Sequence, residues 1–159
     1  MIKNKTPIEQ FKSIYKGNLV DTLFNDVPCI IVSLLTATFS FKKTYPVLGT
    51  REEFNGNNYP CNEEGYCTLK EANRVIRALF DVNKYIYYKR SERKKLKDLE
   101  LEGINIICCK GHYISTNDNE YYSFFNNDDD EVIAIWKLNS FKCKKQNKRG
   151  IRKWQVKKH

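Results

Sequence analysis

"ICCKGHYISTNDNEYYSFF", residues 107–125, decides how the chain folds. It is rich in β-branched and aromatic residues, which suit a pleated, half-buried surface, and "NDNE" (117–120) interrupts it with turn formers. Followed outward, the same period of two gives strand candidates at "INIICC" (104–109), "HYIST" (112–116), "EYYSFFN" (120–126) and "EVIAIWKL" (131–138), with "KYIYYK" (84–89) ahead of them. The later strands read as an antiparallel meander.

Before residue 80 the period is helical. "TPIEQFKSIYKG" (6–17) offers Thr6 as N-cap, Pro7 at the first position and Glu9 to close a capping box, with Ile8, Phe11, Ile14 and Tyr15 on one face. A second helix is expected from about Asp26 through Phe39, capped by Asp26 and tolerating Pro28 in its first turn. Lys42 to Gly65 is rich in turn formers and reads as an irregular excursion. A third helix opens at "TLKE", where Thr68 and Glu71 form a capping box ahead of the stripe Leu69, Ala72, Val75, Ile76 and Leu79. "SERKKLKDLELEG" (91–103) reads as a short charged helix ending at Gly103. Helices first and strands last give an α+β domain, with helices packed on one face of the sheet.

A hydrophobic content of 41% in 159 residues is enough for one folded domain, placed at 1–138. Ten of the 28 Lys and Arg fall in 137–159 with no acid among them, leaving 18 basic against 19 acidic residues before that point. The body is therefore near neutral, and 139–159 is a cationic tail. Lys144, Lys145, Lys148, Arg149, Arg152 and Lys153, with Phe141 and Trp154 among them, suit phosphate contact with base stacking, or else a solubilising terminus. The partners this allows are nucleic acid or another polyanion. "CIIVSLLTATF" (29–39) is short of the ~20 residues a membrane span needs. No apolar stretch follows the first lysines, so no secretory signal is visible, a cytoplasmic location is expected, and the six cysteines are expected as thiols.

Two of these thiols open helices. Cys29 falls in the first turn of the second helix, where unpaired N–H groups favour a thiolate. A buried core cysteine among Ile30, Ile31 and Val32 is the competing reading. Cys67, just before the Thr68 cap, is the rival nucleophile. His112 starts a strand and supplies a base on a separate rigid element, 83 residues from Cys29 and 45 from Cys67. If "NDNE" turns the hairpin, the polar group fifteen or sixteen residues after His112 is Asn127 or Asp128, able to orient the imidazole or to form a solvated loop. A zinc site from Cys61, Cys67, Cys108, Cys109 and His112 is disfavoured, because five residues separate the first pair and Cys108 and Cys109 point to opposite faces of a strand.

Cys29 at the head of an apolar helix, "GYCTLKEANRVIRALFDV" as a later helix, "LKDLELEGINIICC", "GHYIS" and "NNDDD" occur in an order that resembles papain-like cysteine peptidases. Within them it is similar to the compact leader-peptide peptidase domains of bacteriocin exporters and their bacterial and phage relatives. The likeness covers residues 25–136. It implies N-terminal helices packed on a C-terminal antiparallel sheet, and a cofactor-free Cys-His-Asp/Asn site acting on a protein or peptide through a thioester. It also allows a location within a phage or virus particle. Those relatives place a glutamine before the nucleophile and a glycine after it, whereas Asn25 and Ile30 stand here. Asn25 then becomes the implied oxyanion donor. A catalytically inactive adaptor of the same fold, binding a protein or nucleic acid partly through the tail, is the alternative.

Overall fold

The computed structural model describes residues 3–4, 29–41, 67–122 and 127–142. In chain order its elements are β1 (Lys3–Asn4), α1 (Cys29–Ser40), α2 (Leu69–Leu79), β2 (Phe80–Tyr87), β3 (Ile104–Cys109), β4 (His112–Asn117), β5 (Glu120–Tyr122) and β6 (Val132–Phe141). The helix expected over residues 6–17, the excursion 42–65 and most of the basic tail lie outside the described residues.

The six strands form one sheet in the order β1-β5-β4-β3-β6-β2. Every pairing is antiparallel except that of the two-residue β1 with β5. The fold is thus α+β, a helical part laid on a mainly antiparallel sheet. The β4–β5 turn expected at "NDNE" is present, with Asp118 at φ 53°. Its backbone N–H donates to Gly103 O, and its carboxylate accepts from Gly103 N, both at 2.8 Å. The preceding turn needs Gly111, whose φ of 79° disfavours any residue with a Cβ.

Alternation along the strands divides the core in two. Ile106, Cys108, Tyr113, Ala134 and Trp136 pack with α1 and α2, while Ile107, Cys109, Ile114, Val132 and Ile135 pack with Leu96, Leu99 and Leu101. Both helices lie on the first face. The segment expected to be a charged helix over 91–103 instead forms two 3₁₀ turns, Arg90–Glu92 and Leu96–Asp98. Its hydrogen bonds explain the difference: Leu96 N, Lys97 N and Val132 N bind Asp130 O, Asp128 O and Lys94 O, so this backbone is tied to a neighbouring loop rather than to itself.

α1 is apolar all round, as a helix pressed into a core should be. Ser33, Thr36 and Thr38 are accommodated because each hydroxyl donates to the carbonyl four residues back, at 2.7–2.8 Å. α2 begins as its sequence dictates, with the Thr68 side chain accepting from Glu71 N. It is fastened to β6 by Trp136 Nε1 donating to Asn73 Oδ1 at 3.0 Å. β6 runs past Leu138 to Phe141, which is buried at 3% exposure with its ring 5.5 Å from that of Phe80. Phe141 is therefore a core residue and not a stacking group of the tail.

Trp136→Ala is expected to cost about 3–5 kcal/mol, since the ring is fully buried between sheet and helix. Thr68→Ala, which removes only the cap, should cost about 1 kcal/mol. Urea titrations of both variants check the ranking.

Candidate active site

Cys29 is the first residue of α1, and its side chain meets the start of β4. There its Sγ accepts a hydrogen bond from Tyr113 N at 3.3 Å, across 84 residues of sequence. Cys67 lies at the other end of the same tyrosine: Tyr113 Oη donates to Cys67 O at 3.0 Å. The Tyr113 phenol also interacts with the thiol of Cys108. Tyr113 thus holds three cysteines in relation to one another. A cavity of about 280 Å³ opens here, lined by Cys29, Cys67, Cys108, Cys109 and His112 among others.

The β6 strand helps shape it. Between Cys108 and Cys109 its register against β3 slips by one residue, pairing Cys108 with Ala134 and Cys109 with Val132. The bulged Ile133 between them turns onto the helix face and into the cavity wall.

Burial disfavours charge on the thiols and on the imidazole of the site. Burial raises the Cys29 thiol above its ordinary 9.0 and outweighs the opposing hydrogen bond from Tyr113 N. The low thiol pKa expected from its place at a helix N-terminus is therefore corrected: desolvation at this end of α1 exceeds what the unpaired N–H groups supply. Cys108 is pushed up to about 11 by burial, and Cys109 higher still for the same reason. Burial lowers His112 below 6.5, with the Asp130 carboxylate opposing the shift.

His112 is half-buried at the first position of β4, directly across from Cys109. Strand alternation assigns it to the second face with Ile114, at the very end of the sheet, where the cavity reaches round to it. Of the two residues expected to orient it, Asp128 receives the hydroxyl of Tyr121 at 2.7 Å. Asn127 donates from Nδ2 to Asp130 Oδ2 at 2.7 Å, and its backbone N–H donates to Tyr121 Oη at 2.9 Å. The charge that acts on His112 is that of Asp130, eighteen residues on, which the sequence reading missed. The only signal was the length of the "NDDD" run, since an acidic loop offers several carboxylates and only the register selects one.

Asn25 and the tail residues Lys144, Lys145, Lys148, Arg149, Arg152 and Lys153 lie outside the described residues. Among the described residues no three His, Cys, Asp or Glu gather as metal ligands, and no helix is long and apolar enough to cross a membrane. Two further lining residues went unnoticed in the sequence, Arg93 and Tyr87. No family model, curated protein or solved structure matches the chain, so the functional argument rests on this geometry.

Alkylation by iodoacetamide should be slow for all described thiols at neutral pH. As pH rises past 9.0, Cys29 should react before Cys108, and Cys108 before Cys109. The imidazole of His112, followed by NMR, should titrate below 6.5, and Asp130→Asn should lower that midpoint further by removing the charge that favours the imidazolium.

Proposed function

We propose that this chain is a cysteine peptidase or amidase of papain-like architecture, with Cys29 as nucleophile and His112 as base. The observation that carries the reading is the 3.3 Å hydrogen bond from Tyr113 N to Cys29 Sγ, which sets a helix-terminal thiol beside the backbone that bears the histidine.

On this reading the resting pair is thiol and neutral imidazole. As Cys29 Sγ bonds to the substrate carbonyl carbon, its proton passes to His112, whose imidazolium the Asp130 carboxylate stabilises. Tyr113 N–H favours the sulfur while it carries negative charge. The tetrahedral oxyanion then collapses, the amine leaves with the proton from His112, and a thioester remains. Water gives a proton to the same imidazole as it attacks the thioester, releasing the acid and restoring the thiol. Asn127 acts one step away, by fixing Asp130. Asp128 is committed to Tyr121 instead, and Asn25 enters only as the oxyanion donor that the resemblance implies.

A second reading, an inactive adaptor of the same fold, draws on two observations: the raised Cys29 pKa and the register that puts His112 opposite Cys109. Turnover decides between them. With a mixture of unstructured peptides analysed by mass spectrometry, Cys29→Ala should abolish cleavage and His112→Ala should reduce it about 10²- to 10⁴-fold. The base must be neutral and sits below 6.5, while the thiol must keep its proton and sits above 9.0; activity should therefore be level between those limits and fall on either side. Cleavage unchanged in Cys29→Ala would transfer the role to Cys67, and no cleavage by the unmodified protein would favour the adaptor.

The basic tail is proposed to contact nucleic acid or another polyanion on its charge alone. Oligonucleotide binding by the full chain should weaken steeply with salt, and a chain ending after Lys142 should lose it. Truncation at Leu138 would cut into β6 and confuse the comparison.

A further inference from the structure

The cavity holds a positive charge that the catalytic scheme does not use. Arg93 lies between the two 3₁₀ turns, in extended backbone at φ −68° and ψ 137°, and its side chain lines the cavity with Cys29 and Cys108. Among the described residues its one polar contact is Nε donating to Tyr88 O at 3.4 Å, a long bond that leaves both terminal nitrogens of the guanidinium unused. Lys97, by contrast, is paired with Asp129 at 2.8 Å on the surface. The rest of the wall near Arg93 is apolar, from Ile30, Leu69 and Ile133, with the Tyr87 ring half exposed beside it. A planar guanidinium whose outer edge, Nη1 and Nη2, is free beside apolar side chains can receive a carboxylate, because the anion meets two donors in matched geometry and little competing water.

We infer that Arg93 is a specificity-determining residue, selecting substrates that carry a carboxylate close to the bond attacked: an Asp or Glu side chain, or a free C-terminus. This rests on the proposed role of Cys29 for the word substrate, but the charge selection can be read without turnover.

The probe is a pair of alkylating agents of nearly equal size. Iodoacetate and iodoacetamide both form a carbon–sulfur bond with Cys29 and expel iodide, with the thiol proton lost to solvent; only the first carries a carboxylate. The ratio of their rates at Cys29, divided by the same ratio in urea, cancels any change in thiol pKa, which affects both reagents alike. Folded protein should favour iodoacetate by about tenfold, the scale expected for a partly shielded charge pair across a small cavity. Arg93→Gln should return the ratio to its unfolded value, Arg93→Glu should take it below, and Arg93→Lys, which keeps the charge, should retain most of it. A folded ratio equal to the unfolded one, or one unmoved by Arg93→Gln, overturns the inference.

A protection experiment then identifies the carboxylate. Peptides with an internal Glu and an amidated end, peptides with neutral side chains and a free end, and neutral amidated peptides are each tested for slowing iodoacetamide at Cys29. Protection by the first or second names the side chain or the terminus. Equal protection by the third, or protection by none, counts against acid selection. Failure of the hydrolase reading looks different: the alkylation ratio depends on Arg93 while no peptide is cut.

Discussion

Tyr113 is the residue on which the other parts of the site converge. Its backbone nitrogen reaches the head of α1, its hydroxyl reaches the carbonyl just before α2, and its ring lies 6.4 Å from that of Trp136, in van der Waals range of the sheet's central packing. Two helices far apart in sequence are thereby referred to one strand. The phenol is buried and, by burial and by its thiol neighbours, is held as the neutral donor that these contacts need. A side chain with less reach could fill the space, but it could not extend from the strand whose N–H binds Cys29 Sγ to the Cys67 carbonyl.

That arrangement favours the protonated thiol at Cys29, Cys108 and Cys109, since burial raises each of them. A helix terminus and one N–H group favour a thiolate, yet all four described thiols lie against a common apolar wall where charge is costly. With the thiols protonated and burial disfavouring the imidazolium of His112, the charge lining the cavity is that of Arg93.

Much of the fold could be read in advance, and for identifiable reasons. β3 was legible to the residue, 104–109, because both faces of that strand are buried and, Asn105 apart, it reads as an apolar run between turns. The start of α2 was legible because a capping box is a local device. The 91–103 segment was not, since its alternatives differ in where distant carbonyls sit rather than in its own composition. The same applies to the site. Cys29 and His112 are rare residue types at element starts and can be seen in one dimension. Asp130 and Arg93 are ordinary charged residues on charged segments, and it takes the backbone ties between 94–98 and 128–132 to set Asp130 where it acts on His112 and Arg93 at the cavity. Which face of β4 carries His112 follows from a two-residue turn and its register, which no composition announces.

β6 has two ends with different neighbours. Its first residues stand by Cys109 and the bulge at the cavity, whereas Phe141 pairs with the start of β2, and Lys142 is anchored beyond it through Leu79 O and Arg77 O at the C-terminal turn of α2. Ten extended residues span roughly 30 Å. β6 therefore joins the two poles of the domain, carrying the bulge that shapes the cavity at one end and the Lys142 anchor on α2 at the other.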